Sequence, residues 1–177
     1  MTLRIGLLAT ALLAVGCAST PVSLGDEFLQ EHSPTGSSCA FSLGILSDSR
    51  RDPSDFGSLA NRKVQSTDPL AWMRNGLKTL PGYQDELAPL QVDAELLMAY
   101  TQSQATSKVV NVVARLHYRQ ANQQTQSRTY RGSNTAINWA SSESEIQSAF
   151  NNALNKLLLQ IEPELSARCG SNKAEAT

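Results

Sequence analysis

Few side chains in this sequence are of the types that do covalent, acid–base or metal chemistry. Among 177 residues there are three cysteines (Cys17, Cys39, Cys169) and two histidines (His32, His117). That leaves little for a zinc site. The sequence contains no Gly-x-Ser-x-Gly, no Gly-x-x-x-x-Gly-Lys-Ser/Thr, no His-Glu-x-x-His and no Cys-x-x-Cys, so no nucleophile elbow, phosphate loop or zincin helix is signalled. Asp93 and Glu95 share a strand parity and could pair as acid and base, but carboxylates on the wet face of an antiparallel strand are ordinary. Arg115, His117 and Arg119 also share a parity, and Arg131 can join them across the next turn. Such a face could hold phosphate or carboxylate groups of lipopolysaccharide, phospholipid or peptidoglycan, with Asp93 and Glu95 available to neutralise it. The stretch Ser47 to Ser66 holds Asp48, Arg50, Arg51 and Phe56 in a turn-rich context. Connections longer than ~12–15 residues are either floppy or functional, which makes these four residues a candidate partner loop. No catalytic residue, metal or cofactor is expected.

Positioning such groups falls to a small folded unit behind an export signal. Lys and Arg total 15 and Asp and Glu 16, for a net charge of -1 and a pI of about 6.1. A general nucleic-acid binder carries a basic excess that this chain lacks. Met1 to Arg4 is short and positive, and Ile5 to Val15 is apolar with small residues mixed in. That is a secretory signal, read here as residues 1–16. It ends Leu13-Ala14-Val15-Gly16-Cys17, which resembles the bacterial lipobox with Ala14 where leucine is usual. The resemblance implies a thioether-linked diacylglycerol on Cys17, cleavage before it and N-acylation after it. Two or more acyl chains anchor stably where one does not. Ala18, rather than aspartate, follows the cysteine, and the sorting rule this resembles then favours the outer membrane.

Residues 17–37 read as a lipidated N-terminus and flexible tether rich in Ser, Thr and Pro, with Asp26 to His32 as an amphipathic piece able to dock. Residues 38–169 read as a single domain and 170–177 as a disordered tail. Phe41, Leu43 and Ile45 alternate as a strand. Asp68 and Pro69 start a helix that Pro81-Gly82 ends. Val92, Ala94, Leu96, Met98 and Tyr100 form one strand face, and Val110, Val112, Ala114, Leu116 and Tyr118 another. A weaker strand covers Thr125 to Arg131. Ser142-x-x-Glu145 is a capping box, followed by an apolar stripe from Ile146 through Leu154 and Leu158 to Ile161, with a kink or second helix at Pro163. The order strand, helix, three strands, helix predicts an α+β two-layer sandwich: a mostly antiparallel sheet with helices on one face. With Cys17 lipidated, Cys39 and Cys169 remain as an even pair in an oxidising compartment and predict a disulfide that ties both ends of the domain.

The lipobox, the strand end Ile45-Leu46-Ser47-Asp48-Ser49-Arg50 with its Asp-x-Arg, and the helix–meander–helix order together resemble the small YajG-type envelope lipoproteins of Gram-negative bacteria. Auxiliary lipoproteins of envelope transport systems have similar architecture, as does the lipopolysaccharide assembly lipoprotein. The resemblance covers about residues 39–169 and implies an envelope lipoprotein without catalytic activity. No functional residue carries over from it. The expected function is a non-enzymatic outer-membrane lipoprotein on the periplasmic face, acting as an accessory or binding module. Its partners would be the membrane, through the lipid, and an envelope protein or anionic glycolipid, with no nucleic acid. The alternatives are a component of a lipid or lipopolysaccharide transport complex and, third, a periplasmic hydrolase using His117.

Overall fold

The computed structural model describes residues 20–29, 39–59, 62–104, 107–121, 123–137 and 142–171. The expected signal segment, Cys17, most of the expected tether and residues 172–177 lie outside the described residues. Seven strands and two helices follow in chain order. They are β1 (Val22–Leu24), β2 (Phe41–Asp48), β3 (Asp55–Leu59), β4 (Arg62–Ser66), α1 (Pro69–Lys78), β5 (Leu90–Ser103), β6 (Ser107–Gln120), β7 (Gln126–Ile137) and α2 (Glu143–Ser171). The strands run β1-β4-β3-β5-β6-β7, and β2 pairs with β5 off that path.

The expected α+β class holds, but the expected strand order and mostly antiparallel sheet do not. The sheet is mixed. β1 with β4, β2 with β5, and β3 with β5 are parallel; the other pairs are antiparallel. The parallel pairs arise because the chain leaves β2, builds a hairpin and a helix, and returns to lie beside it as β5. That crossover was hidden in the stretch read as a loop. Ser47 to Ser66 contains the β3–β4 hairpin, whose buried Phe56 and Leu59 lie three apart. Gly57, at φ +90° and against the Thr101 backbone, interrupts the alternation that would have revealed a strand. The tether is also shorter than expected: Val22 and Leu24 are buried and complete the sheet edge beside β4. Beyond β1, Phe28 packs on the core.

The long meander matches its sequence pattern up to one point. Leu90, Val92, Ala94 and Leu96 face the core opposite Leu116 and Ala114. Between Leu96 and Met98 the register slips. Beyond it, Ala99 and Thr101 are buried and Met98 is 40% exposed, the reverse of the expected parity. One inserted residue is enough to exchange the two faces of a strand.

Both helices start as the sequence dictates. Asp68 accepts the Ala71 N–H at 2.8 Å, with Pro69 at the first turn. Ser142 and Glu145 exchange side-chain-to-backbone bonds, both at 3.3 Å. α2 continues as one helix through Pro163. Its stripe from Ile146 to Leu165 is buried in one cluster with the sheet. It lies so close to β7 that a Cβ on Gly132 would strike the Ala153 carbonyl. Its Lys156 and Gln160 donate to the Ser133 and Arg131 carbonyls on the outer edge of β7, at 3.0 and 2.7 Å. That covers part of an edge that would otherwise invite pairing. α1 packs on α2 at Gly76, beside Leu154 and Leu158. There Phe56, Trp72 and Phe150 meet edge to face, and the Trp72 indole donates to Asn151 at 2.9 Å.

Cys39 and Cys169 are bonded, with Cα atoms 5.6 Å apart and 130 residues between them in sequence. The bond joins the residue leading into β2 to the end of α2. Replacing both by serine is expected to lower the unfolding free energy by about 2–5 kcal/mol, because so long a loop is released in the unfolded chain. Urea denaturation of the wild-type and Cys39→Ser/Cys169→Ser proteins checks this.

Candidate functional site

The residues singled out for chemistry fall in two places, and pairing decides what each can do. On the sheet face away from the helices, β5 and β6 set Glu95 opposite Arg115 and Asp93 opposite His117. Arg115 contacts Glu95 at 3.2 Å and Arg119 contacts Asp93 diagonally at 2.7 Å. Asp93 also accepts the Ile45 N–H at 2.8 Å, so β2 leans on the same carboxylate. The expected cationic stripe is therefore interleaved with acid. Arg131, opposite Val113, lies on the same face, diagonal to Arg115. Arg115 and Arg119 each engage a carboxylate.

His117 sits between two groups. Its Nδ1 lies 2.6 Å from the Ser127 hydroxyl on β7, and its Nε2 lies 3.9 Å from Glu95. Hydroxyl, imidazole and carboxylate thus form a line across three strands, the arrangement of a hydrolase triad in outline. Two observations argue against that chemistry. The 3.9 Å separation exceeds a hydrogen bond, and Glu95 already accepts from Ser49 and pairs with Arg115. Moreover, Ser127 is exposed on open strand surface, which neither encloses a substrate nor excludes water. Sequence reasoning missed Ser127 because only the β6–β7 register places it opposite His117. Among the described residues no group of three or more His, Cys, Asp or Glu is placed to hold a metal ion.

The second place is the turn after β2. Asp48 and Arg50 form a forked ion pair at 2.8 Å, with side chains only 8% and 6% exposed. The guanidinium also donates to the Pro53, Asp55 and Ala99 carbonyls and lies 4.3 Å from the centre of the Phe56 ring. Phe56 itself is 1% exposed. Asp48, Arg50 and Phe56 are thus mutually engaged and brace the turn; of the four, Arg51 alone is exposed. Arg51 borders an open cleft of ≈ 620 Å³ whose floor is Met98 and Tyr100, the outward residues produced by the slip in β5. A second cleft of ≈ 630 Å³ lies between β7 and α2 beside Pro163. Its wall is an Arg128–Glu164–Arg168 ion network. Behind it the buried Tyr118 and Tyr130 hydroxyls meet at 2.6 Å. Burial raises the Tyr118 phenol far above its usual range, so it stays neutral and serves as packing.

No protein-family model matches the sequence, and no curated protein matches it. Solved structures do match in fold. A Xanthomonas campestris protein of the DUF330 family superposes with a TM-score of 0.59 at 10% identity, over 87% of this chain and 99% of that one. A Caulobacter crescentus protein described as a candidate lipoprotein gives 0.45 at 13% identity, over 55% and 80% of the two chains. The minor lipoprotein of Acinetobacter baumannii gives 0.44 at 16%, over 73% and 92%. The first of these fixes the fold: this arrangement of strands and helices is one that a Gram-negative bacterial protein of independent sequence also adopts.

Two predictions follow from the local electrostatics. Asp48→Ala leaves a buried guanidinium without its counter-charge and should destabilise by about 3–5 kcal/mol. Arg51→Ala, on the exposed neighbour, should stay within about 0.5 kcal/mol. Thermal or urea unfolding of both variants measures the contrast. Glu95 is held below the ordinary glutamate value of 4.5, first by the Ser49 hydrogen bond and, against partial burial, by Arg115 and His117. A depressed folded-state value means stability that is complete above pH 4.5 and lost as the pH falls through the lower value. The Tm advantage of wild type over Glu95→Gln should therefore shrink on acidification. Parallel Tm curves for the two proteins would contradict it.

Proposed function

We propose that this chain is a lipid-anchored, non-enzymatic module of the bacterial envelope, held through Cys17 to the periplasmic face of the outer membrane and serving as an accessory or binding unit. The observation that carries the reading is the Cys39–Cys169 bond. It consumes two of the three cysteines and leaves Cys17, at the end of the lipobox, as the third. Disulfides of this structural kind persist in oxidising compartments, which the periplasm is. The signal segment and Ala18 supply the export route and the outer-membrane preference.

The non-enzymatic part of the reading is supported by the site geometry. The one hydroxyl–imidazole contact described lies on open strand surface, and the buried charges around Arg50 are engaged in holding the β2–β3 turn. Among the described residues no helix is long and apolar enough to cross a membrane, so in this reading attachment depends on acyl chains. The likeness to the Xanthomonas campestris protein supports the fold on which such a module would be built.

Cys17→Ala should give protein that takes up no radioactive fatty acid and is soluble or unprocessed, while wild type takes up label and floats with outer-membrane vesicles. Unlabelled, soluble wild-type protein would overturn the anchor and the envelope-surface reading with it.

A further inference from the structure

A tether of residues 17–37, if free, would let the domain wander tens of ångströms from the bilayer and face it in any direction. The structure removes most of that freedom. β1 begins at Val22, and the chain just before it is already held: the Arg62 side chain donates to the Thr20 carbonyl at 3.0 Å. Just after β1, Gln147 binds the Gly25 N–H and the Glu27 carbonyl, and Asn75 donates to the Asp26 carbonyl. Thr20 is three residues from Cys17. Even fully extended, that span covers no more than about 11 Å.

The direction of β1 decides which end of the domain the anchor meets. Val22 pairs with Val64 and Leu24 with Ser66 in parallel register, so the chain enters β1 at the start of β4, beside the β3–β4 turn. β3 runs parallel to β5, with Gly57 level with Thr101, so this turn lies at the same end of the sheet as the β5–β6 turn that follows Ser103. The disulfide is at the other end, since Phe41, two residues after Cys39, pairs with Leu90 at the start of β5. β5 has 14 residues, which puts the two ends roughly 40 Å apart at about 3.3 Å per residue.

We infer that the end of the sheet formed by the β3–β4 and β5–β6 turns rests on the bilayer that holds the Cys17 lipid, and that the disulfide end points away from it. This rests on the proposed lipidation of Cys17. Charge agrees with the geometry in the sheet layer. Arg62, Lys63 and Lys108 open the strands that leave these two turns, and residues 56–67 and 96–116 contain no carboxylate. Basic groups favour a surface that carries anionic lipid. In the helix layer, Glu143 and Glu145 open α2 at the same end, and Glu145 turns back onto the Ser142 N–H. The short leash, more than the charge, therefore sets the orientation. The surfaces left for a partner are then the disulfide end, with Asp85 and Glu86 in its loop, and the sheet flank.

The test uses full-length lipidated protein, purified from membranes, with a fluorescent amino acid encoded at Lys63 or at Gln124 in the β6–β7 turn. The proteins are reconstituted in phosphatidylethanolamine–phosphatidylglycerol vesicles doped with a headgroup-nitroxide lipid. Quenching at position 63 should exceed that at 124 several-fold. A Gly/Ser insert of about twenty residues between Ala18 and Ser19, with a reach of roughly 25 Å, should erase the difference while flotation persists. Protein that floats but is quenched at 124 as strongly as at 63 overturns the orientation alone. Protein that does not float overturns the lipidation reading and this inference with it.

Discussion

The apolar stripe of α2 is the constraint on which the rest of the molecule depends. From Ile146 to Leu165 it lies on the sheet, pressed to β7 at Gly132 where no side chain could fit. The segment after β1 and the approach to β2 are then both defined relative to this helix. Near its start, Gln147 holds the segment after β1. Near its finish, Cys169 is bonded to Cys39 ahead of β2. A helix that must stay on the sheet to keep its leucines dry therefore fixes the entry of the chain at one end of the domain and the disulfide at the other.

β5 is the second organising element, because it has partners along both edges. Its first half pairs with β2 and its second meets β3, and the slip after Leu96 falls at the junction. That irregularity has a use. It turns Met98 and Tyr100 outward to floor a cleft, and brings the Ala99 carbonyl to the Arg50 guanidinium. The Asp48–Arg50 fork then closes the space where the chain leaves β2 for β3. Buried ion pairs are weak evidence of net stability against an apolar alternative. Here the guanidinium satisfies two carbonyls of the β2–β3 connection and one on β5, a task for which an apolar side chain has no donors.

The outer sheet face shows why residue type and strand parity do not suffice to define a site. Arg115, His117 and Arg119 do share a face, as alternation requires. Cross-strand partners decide its character, and those are Glu95 and Asp93. A stripe that looks cationic along one strand is nearly balanced across two.

The sequence by itself determined the local elements whose signals lie within a few residues. Asp68-Pro69 and Ser142-x-x-Glu145 set the helix starts, the long alternations of β5 and β6 set the meander, and the cysteine count set the disulfide. The expected export signal and lipobox are also read from sequence alone, chemically rather than structurally. Only the tertiary structure decided what depends on partners far along the chain. β3 and β4 are short and their period is broken at Gly57. β1 has three residues in a Ser- and Pro-rich stretch. Such strands gain order from hydrogen bonds and burial supplied by β5, β4 and α2, because isolated short strands cannot offset the entropy of their own fixation. The same reason separates the two readings of Asp48, Arg50 and Phe56. Composition makes them look like an exposed loop; in the fold Phe56 is core against Trp72 and Phe150, and Asp48 and Arg50 pair with each other beside it.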